Sequence, residues 1–132
     1  MRAELADYYA DLSARDWKAF ADHFWPGAAI TTAWQPPGEN AVRVVPSTVE
    51  EFVRLAPQGP GSQPIFEERM LDARVEVERS IAHAWVHYRM TFGDERDVAR
   101  FDGVDSISLL ELGGRWRIAA LVFAGGDEPE PD

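Results

Sequence analysis

An α+β fold, with helices packed against one curved antiparallel sheet, is predicted by three features of the sequence. Helical periodicity is confined to the opening residues and to one short segment near the middle. Long stretches with an apolar–polar period of two fill the second half. Turn signals separate those stretches at hairpin spacing, and helices followed by a run of antiparallel strands give this class. At 132 residues the chain is large enough for one domain with its own core, expected over residues 1–124. The remainder, GGDEPEPD at 125–132, combines Gly, Pro and carboxylates and cannot bury enough apolar surface to order itself.

In residues 4–24, ELADYYADLSARDWKAFADHF, Leu5, Tyr8, Tyr9 and Leu12 form one helical stripe that Phe20 and Phe24 continue. The stripe slips at SARD, which predicts two helices with Ser13 or Asp16 capping the second. WPG at 25–27 stops the second helix, and AAITTAW at 28–34 is a first strand closed by the loop QPPGEN. VRVV at 42–45 is a short extended piece. PSTVEEFVRLAP then reads as a short helix, because Ser47 precedes Glu50 and Thr48 precedes Glu51 at capping-box spacing. QGPGSQP at 58–64 is a flexible loop.

Beyond it, MLDARVEVE at 70–78 alternates Leu71, Ala73, Val75 and Val77 with charged residues. IAHAWVHYRMTF at 81–92 also alternates. Ala82, Ala84, Val86, Tyr88, Met90 and Phe92 make the apolar row, whereas His83, Trp85, His87 and Arg89 lie on the other. GDERDVARFDG is expected to be a long polar loop. SISLLEL, a Gly113–Gly114 turn and RWRIAALVF form a closing hairpin.

The strand reading decides the one metal-like motif. His83 and His87 on a strand lie roughly 13 Å apart along its axis, too far for bonds of about 2 Å to one ion. No metal site is expected there. The chain has no cysteine, which excludes disulfides and thiolate chemistry, and its formal net charge of -10 disfavours nucleic acid and anionic membranes as partners. The charged opening MRAELADYYADL lacks the apolar run of a signal peptide or spanning helix, so a cytoplasmic location is expected.

ADYYADLSARDWKAFADHFWPGAAITT resembles the helical opening of the nuclear transport factor 2-like, or SnoaL-like, superfamily, and GVDSISLLELGGRWRIAALVF resembles its closing hairpin. The likeness spans residues 5–123. It implies a cone, in which a strongly bent antiparallel sheet wraps about three helices around an internal apolar pocket, often in a homodimer. The superfamily holds isomerases, polyketide cyclases and dehydratases alongside binding domains without catalysis, so function must be argued from the site. The resemblance aligns Tyr8 with a pocket tyrosine of the isomerases and Asp105 with a buried acid. At the position of their general base it places Thr32, beside Thr31, and a hydroxyl there cannot take a proton from carbon near neutral pH.

These alignments give the candidate site. Asp105 shares a strand row with Ile107 and Leu109, which puts it at the rim of the core as an acid or base; the structural alternative is a strand-start aspartate held by a loop amide or by Arg115. Tyr8 and Tyr9 offer phenol donors or serve as core aromatics. Trp34 closes the pocket mouth, by stacking on a flat ligand or as a lid. Asp102, in the expected loop, overhangs the entrance or makes a turn. The row with His83, Trp85, His87 and Arg89 faces outward with the composition of an interface, the expected dimer surface. His23 is expected to favour a helix C-terminus. Two functions follow as expectations. One is a cofactor-free isomerase, cyclase or dehydratase using Asp105 and Tyr8 on a small apolar or aromatic molecule. The other is a non-catalytic ligand-binding or dimeric interaction domain.

Overall fold

The structure, a computed structural model, describes residues 1–35 and 39–124. The expected acidic tail at 125–132 and the centre of the QPPGEN loop lie outside the described residues. Helices α1 (Arg2–Ser13) and α2 (Trp17–Asp22) lead into strand β1 (Phe24–Trp34). Strand β2 (Arg43–Thr48), helix α3 (Val49–Leu55) and a 3-10 turn (Ala56–Gln58) follow. The chain then runs through β3 (Ile65–Glu78), β4 (Ile81–Gly93), β5 (Val98–Leu112) and β6 (Arg115–Ala124). The six strands form one curved sheet in the order β2-β1-β6-β5-β4-β3, antiparallel except for the parallel pair β1–β6, and the three helices cover its concave face.

Local chemistry accounts for the element ends. Asp16 caps α2 by accepting from the Ala19 amide at 3.1 Å, and Thr48 with Glu51 forms the capping box of α3. Ser13 does not cap a helix. Its hydroxyl is bonded to the backbone of Glu68, on edge strand β3. Gly113 and Gly114 both carry positive φ, as the tight β5–β6 turn requires.

Alternation sorts β4 as expected. Ala82, Ala84, Val86 and Tyr88 are buried under the helices, and His83, Trp85, His87 and Arg89 face the convex side. The core they complete includes Leu5, Tyr8, Tyr9, Leu12, Phe20 and Phe24. Three expectations need correction. The strand β1 begins at Phe24, so Trp25–Gly27 open a strand, with an irregularity in its pairing to β6. The supposed polar loop at 93–103 is mostly strand, because β4 runs to Gly93 and β5 starts at Val98 with only a short turn between. Finally, β3 begins at Ile65, and a bulge between Met70 and Asp72 shifts its phase. Leu71 therefore sits exposed at the bulge, apart from the row of Ala73 and Val75.

Candidate functional site

The concave face of β5 carries Asp105, Ile107 and Leu109 in one buried row. Asp105 lies mid-strand, between Val86 of β4 and Phe123 of β6, and is only 2% exposed, so it sits inside the core and not at its rim. Helix α1 packs chiefly against β3, and from its buried stripe the Tyr9 hydroxyl reaches across to donate a hydrogen bond to Asp105 Oδ2. Oδ1 is buried and has no hydrogen-bond partner among the described residues. Neither alternative partner is used: the guanidinium of Arg115 is bonded to Asp22 on the helical side. Burial pushes the Asp105 carboxyl up to about 7, and the Tyr9 hydrogen bond holds it from rising further.

A second carboxyl, absent from the sequence reading, shares this interior. Phe66, Glu68 and Met70 form the concave row at the start of β3, and Glu68 is 8% exposed. As an edge strand, β3 has backbone groups with no strand partner, and Ser13 serves those of Glu68. The hydroxyl donates to the Glu68 carbonyl at 3.0 Å and accepts from its amide at 2.9 Å. Burial, and then the charge of Asp105, raise the Glu68 carboxyl well above its usual range. Registers place Glu68 beside Met90 and Asp105 beside Val86, so Tyr88 lies between the two acids on the β4 row. The Tyr88 ring covers Gly103, its partner on β5, where a β-carbon would collide with the phenol.

The phenols remain proton donors. Burial first, and the Asp105 charge second, push both Tyr8 and Tyr9 above the ordinary tyrosine value; burial first and then Glu68 do the same for Tyr88. Tyr8 itself packs edge-on against Tyr9, with ring centroids 4.8 Å apart, and against Phe24 at 5.8 Å. The Asp105 hydrogen bond thus belongs to Tyr9, and the expected Tyr8 partner is a neighbour instead. Thr32 pairs with Phe123, which pairs with Asp105, so Thr32 lies in the same cross-strand row. The span is two strand spacings, about 10 Å. Two carboxyls and three phenols in an apolar interior, with Thr32 in the row of Asp105, form a set suited to proton transfer and carbonyl binding.

The other candidates lie elsewhere. Asp102 is on β5, three residues from Asp105 and on the convex face, where both its oxygens meet Arg89, at 2.8 and 3.1 Å. It does not overhang the interior. His87 is paired with Asp72 at 2.8 Å and His83 with Ser106 at 2.9 Å, each separately on the convex face. Trp34 ends β1, and its side chain lies outside the described residues. His23 follows α2 as expected, but its role differs: it is buried between two α1 carboxylates, Glu4 at 3.1 Å and Asp11 at 2.6 Å. Two surface clefts also lie away from the acids. One, of about 850 Å³, is bordered by Asp16, Ala19, Phe24, Val49 and Arg117. The other, of about 430 Å³, is bordered by Arg69, Arg89 and Arg100 on the convex side.

No protein-family model and no curated protein sequence matches the chain. Solved structures do. A provisionally assigned scytalone dehydratase from Novosphingobium aromaticivorans superposes with a TM-score of 0.75 at 12% identity, over 96% of this chain and 81% of that one. A nuclear transport factor 2-like protein with a cystatin-like fold, from the same organism, gives 0.72 at 14% identity, over 98% and 81%. The beta subunit of benzoate 1,2-dioxygenase from Burkholderia mallei gives 0.70 at 12% identity, over 95% and 87%. Identities this low speak for architecture alone. The chain has the cone-shaped, cystatin-like fold of the nuclear transport factor 2-like proteins.

Proposed function

We propose that the concave face binds a small, neutral, apolar or aromatic molecule carrying a carbonyl, and that Asp105 moves a proton on it without a cofactor. The observation that carries this reading is the buried Asp105 carboxyl, donated to by Tyr9 on one oxygen and, among the described residues, unpartnered on the other. A buried polar atom left without a partner is costly, and a ligand hydrogen satisfies it. Isomerisation, cyclisation and dehydration each need such a group, and the likeness to a provisionally assigned dehydratase agrees with that class. The test is exchange of the α-hydrogens of 2-tetralone with deuterated solvent, followed by proton NMR. Wild type should accelerate exchange, and Asp105→Asn should lower the rate by roughly 10²–10⁴-fold while tetralone binding survives. Equal binding with no exchange in either protein would favour the non-catalytic binding domain.

The same reading includes a homodimer in the cytoplasm, formed through the convex face. Trp85 is 41% exposed there, with Ile81, Leu110 and Val122 also exposed along the neighbouring strands. Exposed apolar side chains gathered on one sheet face of a strongly acidic chain fit a second copy. No helix among the described residues is long and apolar enough to cross a membrane. Trp85→Glu should give monomers by light scattering with an unchanged far-UV spectrum; a monomeric wild type would refute the dimer.

A further inference from the structure

We infer that Glu68 is the acid that works opposite Asp105: Asp105 takes the proton from carbon and Glu68 gives one to the carbonyl oxygen. This rests on the reading of the concave face as a proton-transfer site, and assigns its second group. Four of the elements around the interior face it with ionisable side chains: Tyr8 and Tyr9 from α1, Glu68 from β3, Tyr88 from β4 and Asp105 from β5. The two carboxyls are not equivalent. Asp105 receives the Tyr9 phenol, and a donor of that kind stabilises a carboxylate. Among the described residues no donor reaches the Glu68 carboxyl; its tether to Ser13 is made through the backbone alone. A buried carboxyl lacking donors is least costly when protonated. The charge on Asp105 pushes Glu68 further the same way. Like charges sharing an interior do not ionise together, so the pair divides into one base and one acid.

Position supports the division of labour. Glu68 lies on edge strand β3, in the row of Met90 and the half-buried Phe101, and at 8% exposure is nearer to water than Asp105, at 2%, in the row of Val86. Tyr88, itself buried, stands between the two acids, so a ligand admitted beside its ring would have one acid at each side. In the step, the carbon–hydrogen bond next to the carbonyl breaks and its proton goes to Asp105 Oδ1, the unpartnered oxygen. The electron pair becomes the carbon–carbon double bond, and the carbonyl oxygen takes the Glu68 proton to give a neutral enol. Return of the enol proton to Glu68, and of the Asp105 proton to the same or a conjugated carbon, restores both groups. No oxidant, metal or cofactor enters the balance. Glu68 thereby supplies the second carboxyl that Thr32 on β1 does not.

Two measurements separate this assignment from the reading beneath it. Carbon-13 carboxyl NMR of the wild type should show Asp105 ionising before Glu68, and Asp105→Asn should lower the Glu68 midpoint by about one pH unit or more. Glu68 ionising first would overturn the assignment. In the 2-tetralone exchange assay, Glu68→Gln keeps a neutral donor of similar shape and should retain activity within about tenfold, while the high-pH limb of the rate profile disappears. Asp105→Asn should lose it. The reversed pattern, with Glu68→Gln inactive and Asp105→Asn active, would overturn the assignment and leave the proton-transfer site standing. Absence of exchange in the wild type would overturn both.

Discussion

Asp102 and Asp105 are three residues apart on one strand, and they behave as groups from different proteins. Asp102 lies on the convex face, its side chain 55% exposed, where the Arg89 hydrogen bonds hold its carboxyl below the ordinary value. Asp105 lies on the concave face beneath α1, and burial raises its carboxyl to about 7. Nothing local in FDGVD distinguishes them. The odd spacing along β5 puts them on opposite sides of the sheet, and the helices cover only one side. The convex face pairs its charges in water, as His87 with Asp72 and Arg89 with Asp102 do. The concave face isolates its acids among rings and aliphatic chains, where removal from water shifts a proton equilibrium far more than a surface partner does.

The comparison breaks most visibly at Asp105→Asn. In the fold Asp105 ionises near 7, against an ordinary value of 3.8, so between those values the folded chain binds the extra proton. Its stabilising contribution is complete below about pH 4, declines as pH rises, and is gone above about pH 7. Asparagine keeps an acceptor for Tyr9 and carries no charge. Chemical denaturation at pH 8 should therefore show the variant more stable than wild type, by roughly 4 kcal/mol for a shift of this size. The two proteins should converge towards pH 4.

Gly103→Ala gives a smaller, pH-independent effect. Its β-carbon would meet the Tyr88 phenol and stand 2.9 Å from the Ala124 carbonyl oxygen, so the ring must leave the space between the acids. Urea unfolding should show a loss of about 1–3 kcal/mol, as for other overpacked sites. Smallest is Asp102→Asn on the convex face. An exposed ion pair is screened by water and salt, so its loss should lower the unfolding midpoint only slightly at low salt and leave it unmoved at high salt.

How much of this was legible in the sequence depended on which face and which neighbour a residue had. The rows of β4 could be read because alternation is uninterrupted through twelve residues, and the buried row and the outward direction of the Trp85 row came out as read. Asp105 was singled out by the family resemblance and placed by its shared phase with Ile107 and Leu109, although its depth was underestimated because β5 starts at Val98 and not beside it. Asp102 was misread because charged residues and Gly103 imitate a loop, whereas the glycine serves the Tyr88 ring. Glu68 was missed because IFEER was given no element, and the bulge after Met70 breaks the phase that would have extended the strand backwards. The signal was present as Phe66, Glu68 and Met70 at every second position. Tyr9 could not be preferred to Tyr8 from helical spacing. Both lie in the buried stripe, and only the way α1 lies on the sheet decides which hydroxyl reaches the acid.

The most direct test of the claim that the two faces set the chemistry is to titrate both aspartates in one sample. Carbon-13 carboxyl NMR, with Asp102→Asn and Asp105→Asn used to assign the signals, reads each midpoint without any ligand. Asp105 should titrate near 7, and Asp102 should titrate below its ordinary value. An Asp105 midpoint in the usual aspartate range, near that of Asp102, would contradict the account and remove the proton-transfer site with it.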